Sequence, residues 1–148
     1  MQSWRLIAVV AALPLVALAA TPAQEKAFVD GYKAAYEGKN AKALHAMLYT
    51  KGADPQALEF YKMMMTNDMG TKISSIVLEP LSADDKKNAS SAMPGPGGKS
   101  YRLTLMPVKK LVIKSTTSGS TGSSTSTNTV FVGEADGKLV IPVPGPAK

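Results

Sequence analysis

The chain has no cysteine, a single histidine and a single tryptophan in 148 residues. Without cysteine there is no disulfide, no thiolate nucleophile, no thiolate metal site, no thioether-linked haem and no lipid carried on an N-terminal cysteine. With His45 alone, two-histidine metal sites and histidine pairs are excluded as well. Arginine is almost as scarce: Arg5 lies near the start, and Arg102 is the only one after it. The lysines are scattered, with pairs only at Lys86-Lys87 and Lys109-Lys110, and aromatic residues make up 6% of the chain. Nucleic-acid readers combine a basic stripe with arginines and stacking aromatics, so the excess of six positive charges reads as solvated lysine and no nucleic-acid partner is expected.

What is present begins with an address. Residues 1–5 carry one basic side chain and the amino terminus, LIAVVAALPLVALAA follows without charge, and Ala17-Leu18-Ala19 has the small-x-small pattern of a signal peptidase site. The apolar run is shorter than the ~18 residues a membrane span needs, and Pro14 interrupts it. Residues 1–19 are therefore expected to be a cleaved signal peptide. Residues 20–148 are expected to form one domain, secreted or periplasmic, held by its apolar core, with a charge near +5 once Arg5 is gone.

Three amphipathic helices open that domain. Thr21-Pro22-Ala23-Gln24 is a capped helix start, and Phe28, Tyr32, Ala35 and Tyr36 then share one face. Gly38 is read as a left-handed stop, and Asn40 caps a second helix over AKALHAMLY. Asp54-Pro55 starts a third helix through about Asp68, with Leu58, Tyr61, Met64, Met65 and Met69 as its apolar stripe and Gly70 at its end.

The pattern then turns extended. Residues 72–81 form a β-branched run, Tyr101, Leu103 and Leu105 alternate with polar residues, and Pro107 bends the chain before LVIK resumes at Leu111. Asp136-Gly137 between two short apolar runs is a strong two-residue hairpin signal. Two polar segments, 82–99 and 115–127, read as flexible loops; the second, STTSGSTGSSTST, has eleven Ser/Thr and no apolar residue.

The segments AFVDGYKAAYEGKNAKALHAML and VFVGEADGKLVIP resemble the opening helices and closing hairpin of the NTF2-like (SnoaL-like) superfamily. That resemblance implies an α+β fold: three N-terminal helices packed on a curved antiparallel sheet of about four strands, forming a cone with a pocket at one end. The superfamily hosts enzymes, binding proteins and dimerisation modules, so the fold alone does not choose among them.

The candidate residues favour binding over catalysis. Tyr32, Tyr36, Tyr49, Leu103 and Leu105 are expected to line a concavity between the first helix and the sheet and to receive a small molecule or an envelope protein, without a cofactor; a homodimer is compatible with this reading. The alternative is an isomerase- or dehydratase-like enzyme in which His45, paired with Asp30 or Asp68, acts as base. The strand-borne acids Glu79 and Glu134 sit at strand ends, read as solvent-facing, which weakens that alternative. A third reading takes Met64, Met65 and Met69 as soft ligands for copper, against their ordinary role as core gap-fillers. Asn88-Ala89-Ser90 matches a glycosylation acceptor, and Gly97-Gly98-Lys99-Ser100 lacks the spacing, strand and helix of a phosphate loop.

Overall fold

The structure, a computed structural model, describes residues 19–148, so the apolar run expected to be a signal lies outside the described residues up to Leu18. Helix α1 (Pro22–Glu37) begins as its sequence dictates: Thr21 accepts from the Gln24 amide, the Gln24 side chain accepts from the Thr21 amide, and Pro22 needs no donor. Its buried face is Phe28, Tyr32, Ala35 and Tyr36. Gly38 does not supply the left-handed stop; it sits at φ −81°, and Lys39 takes the positive φ of 55°. Gly38 is needed for space instead, because a Cβ there would lie 2.8 Å from the Ala34 carbonyl oxygen.

Helix α2 (Ala41–His45), capped by Asn40, is a single turn. The residues expected to extend it instead form strand β1 (Leu48–Tyr49). Helix α3 (Pro55–Thr66) is capped by Asp54, whose carboxylate accepts from the Gln56 and Ala57 amides. Strand β2 (Ile73–Pro80) follows. Segment 82–99 is structured rather than a flexible loop: it holds helix α4 (Ala83–Ser90), strand β3 (Met93–Pro94) and a short 3-10 turn at Pro96–Gly98. Ser82 and Asp85 cap α4 reciprocally, Ala89 is buried, and Lys110 donates to Asp85 at 2.8 Å, which together hold a helix of little apolar content in place.

Strand β4 (Ser100–Leu103) ends where the chain bends before buried Pro107. Strands β5 (Lys109–Gly119) and β6 (Gly122–Ala135) then pair without interruption through the whole Ser/Thr tract, Lys109 opposite Val132 and Gly119 opposite Gly122. The tract is a β-ribbon turning at Ser120-Thr121, not a flexible loop. Threonine is β-branched and suits extended backbone, and cross-strand hydroxyls bond, as between Ser115 and Ser126 at 2.8 Å. At the Asp136-Gly137 turn, β6 leads into β7 (Lys138–Pro142) with both turn residues at positive φ, as a two-residue hairpin of this twist requires. Strand β8 (Pro144–Pro146) closes the chain.

The result is α+β. One sheet has the order β1-β7-β6-β5-β2, and a small sheet has the order β3-β4-β8. The first is mixed rather than all-antiparallel, since β1 runs parallel to β7 with Leu48 opposite Ile141. The buried face of α1 joins Leu111, Ile113, Val132, Leu44, Ile73, Ile141 and Val143 in one core, with α1 running against β2 and β7. No helix among the described residues is long and apolar enough to cross a membrane.

Candidate functional site

The site arises from an interrupted strand pairing. Strands β6 and β7 pair only from Ala135-Lys138 to Gly133-Val140. Continuing that ladder would require Pro142 to donate toward β6, because N–H groups alternate sides along a strand and the Ile141 amide already points the other way, to the Met47 carbonyl at 2.8 Å. Proline has no N–H, and Pro144 and Pro146 repeat the deficit on the same side. The strands therefore fork. From Gly122 to Val132, β6 has β5 on one side and, among the described residues, no strand on the other.

Helix α3 borders this fork, with cavities around it. One, of about 430 Å³, is lined by Tyr32 and Tyr36 of α1, Phe60, Met63, Met64 and Met65 of α3, and Asn128 to Val130 of β6. A second, of about 220 Å³, lies between the diverging strands, with Phe131 on one wall and Ile141 and Pro142 on the other, beneath Tyr61 and Met64. Met64, Thr129 and Val130 line both, so the two cavities adjoin along the open edge of β6. Asn128 in the first and Phe131 in the second point to opposite faces of the strand, which places the cavities on either side of that edge. A third cavity, of about 380 Å³, separates Phe60 and Tyr61 from Met93, Tyr101 and Pro144 of the small sheet.

The α3 side of the lining is apolar and exposed, with Phe60, Met63 and Met64 55%, 59% and 48% accessible, and Asn67 and Asp68 add polar groups to the first cavity. Beneath them Tyr32 and Tyr36 stack with ring centroids 6.1 Å apart. Burial, and secondarily the neighbouring Tyr36, pushes the Tyr32 phenol up to about 12; burial followed by the charge of Asp68 raises that of Tyr36. Both remain protonated at neutral pH and offer neutral surfaces.

Comparison with family models, with curated proteins and with solved structures finds no match to this chain. Its site must be read from its own residues.

Of the residues expected to bind, Tyr32 and Tyr36 meet at the first cavity and Leu103 lines the one in the fork. Tyr49, half-buried on β1 opposite Pro142, and Leu105, packed where a Cβ on Gly133 would meet its Cδ2 at 2.8 Å, line none of the three. Between α1 and the sheet the first cavity brings Tyr32 and Tyr36 opposite Ile113 and Asn128 to Val130, with α3 as a further wall. Phe60 and Met63 were missed because they lie off the Leu58, Tyr61, Met65 stripe; an apolar outward face on α3 was the available signal.

The acid-base constellation is not assembled. Among the described residues the buried Nε2 of His45 has no hydrogen-bond partner, Asp30 pairs with Lys26, and Asp68 accepts from Asn67. Glu134 is not a solvent-facing end but half-buried, accepting from the Ala20 amide at 2.8 Å, whereas Glu79 is exposed. Met64 and Met65 border one cavity while Met69 packs against the core, and no cluster of three His, Asp or Glu is found among the described residues. Asn88 lies exposed on α4, on a helix rather than in a loop.

Proposed function

We propose that this chain is an exported, non-enzymatic binding domain of NTF2-like kind whose partner is an extended, uncharged segment of an envelope or secreted protein, taken up as an added strand along β6. One observation carries the reading: the edge from Gly122 to Val132, unpaired among the described residues, shares a cavity with exposed Phe60, Met63 and Met64 at Asn128 to Val130. An added strand gains main-chain hydrogen bonds from the edge, and its alternate side chains enter the cavities on either side. Edges that avoid pairing carry charges, prolines or bulges; residues 122–132 have no charge and no proline, and their pairing with β5 shows no register shift. The neutrality of the edge itself favours an uncharged guest, and Asp68 is the charged residue lining the first cavity beside it. The NTF2-like description draws its support from the α+β class and from the Asp136-Gly137 hairpin joining β6 to β7, whereas β1 between α2 and α3, and α4 after β2, depart from a purely N-terminal set of helices.

The test is selection of displayed random heptapeptides on the mature protein, followed by synthesis of the enriched sequences. Selected peptides should alternate apolar residues, and methylating their backbone amides one at a time should weaken binding at every second position, since only those N–H groups face β6. Met64→Arg, which places a charge between the two cavities, should weaken binding at least tenfold. Binders indifferent both to Met64→Arg and to the position of the methyl group would rule the reading out.

A further inference from the structure

The start of the described chain carries a contact that gains meaning from processing. The Ala20 amide donates to Glu134 Oε1 at 2.8 Å across 114 residues of sequence, in a half-buried setting. Adjacent contacts dock the same segment: Ala20 packs against the core, the Gln24 side-chain amide donates to the Gly137 carbonyl at 3.2 Å, and Glu25 pairs with Lys109. Ala19, one residue earlier, is exposed.

We infer that the Ala19–Ala20 bond is the processing site and that Glu134 is the receptor for the ammonium group its cleavage creates. Hydrolysis by a signal peptidase adds the hydroxyl of water to the Ala19 carbonyl carbon, breaks the C–N bond and releases the Ala20 nitrogen as an amine, which is protonated in neutral water. An amide–carboxylate hydrogen bond thereby becomes an ion pair at an atom that the fold already holds 2.8 Å from Glu134. Small residues at 17 and 19 meet the peptidase requirement. Thr21 and Ala23 also make a small-x-small pair, but cutting after Ala23 would remove both the Glu134 contact and the Thr21 cap of α1. The inference rests on the export reading and is independent of what β6 binds.

The full 148-residue chain, expressed in a bacterial host, should appear in the exported fraction with an intact mass that begins at Ala20. Any other terminus overturns the inference and leaves the export reading standing, while a chain that stays inside the cell uncut overturns both. A second measurement addresses Glu134 itself. Protein beginning at Ala20 should melt a few degrees, on the order of 3, above the same protein retaining Ala19, and Glu134→Gln should abolish that difference. Equal melting of the two starts with Glu134 intact, or an undiminished gap in the variant, would show that the carboxylate does not receive the terminus.

Discussion

The two halves of the β5–β6 hairpin are built from one continuous ladder and stabilised in different ways. In the lower half, Leu111, Ile113 and Val132 are buried in the core that α1 shares, and β2 pairs along β5 as far as Ser115. In the upper half, residues 117–129 are exposed, and pairing rests on backbone hydrogen bonds and hydroxyl contacts. Strand geometry is shared, so what differs is what covers it. A ladder can outlast its core when its residues suit extended backbone, but its removal should then cost the fold little.

The lower half should be the sensitive one. Leu111 is fully buried, so Leu111→Ala loses its transfer free energy and leaves a void; about 2 to 5 kcal/mol of destabilisation is expected in urea titrations. Replacing residues 116–125 by Asn-Gly between Ser115 and Ser126, which already face each other across the ladder, should cost about 1 kcal/mol or less. The same excision removes residues 122–125, four of the eleven residues of the uncharged edge of β6, and should shorten the footprint of any strand added there. Loss of cooperative unfolding after excision would mean that the ribbon supports the core, and the distinction between the halves would fail.

The same contrast explains what could be read from the sequence. Caps and helical periodicity revealed α1, α2 and α3, because Thr21, Asn40 and Asp54 act within a few residues of themselves. The Asp136-Gly137 turn was legible for the same reason. The ribbon was not, since strand reading relies on apolar alternation and hydroxyl residues carry none; its β-branched threonines were the overlooked signal. Helix α4 hid in a similar way, although Ser82 and Asp85 had the spacing of a capping box. Strand β1 is two residues long and pairs in parallel with a strand more than ninety positions away, a contact that no local pattern encodes. The site was half legible. Helical periodicity and strand alternation mark Tyr32, Tyr36 and Leu103, Met64 enters the sequence reading only as a core filler or metal ligand, and the fork depends on which way the N–H of Ile141 points, which follows only once β1 is in place.

The smallest expected effect concerns α4, which is held by charge where α1 is held by apolar surface. The hydrogen bond from Lys110, followed by those from the Ser82 amide and hydroxyl, lowers the Asp85 carboxyl from 3.8 to about 2. A carboxyl whose folded value is depressed adds stability above its unfolded value and loses it as pH falls through the folded one. The contribution should therefore be complete above about pH 5, shrink as pH falls past 3.8 and be lost as it falls through about 2. Asp85→Asn keeps a side-chain acceptor for the cap but removes the charge facing Lys110. Its melting temperature should lie below that of the unaltered protein at pH 5, with the gap closing as pH approaches 2. Because the pair is near the surface, 0.5 M salt should narrow the gap at pH 5. A gap that stayed constant across both the pH range and the salt series would show that α4 is held by its cap and buried Ala89 alone, with no electrostatic share from Lys110.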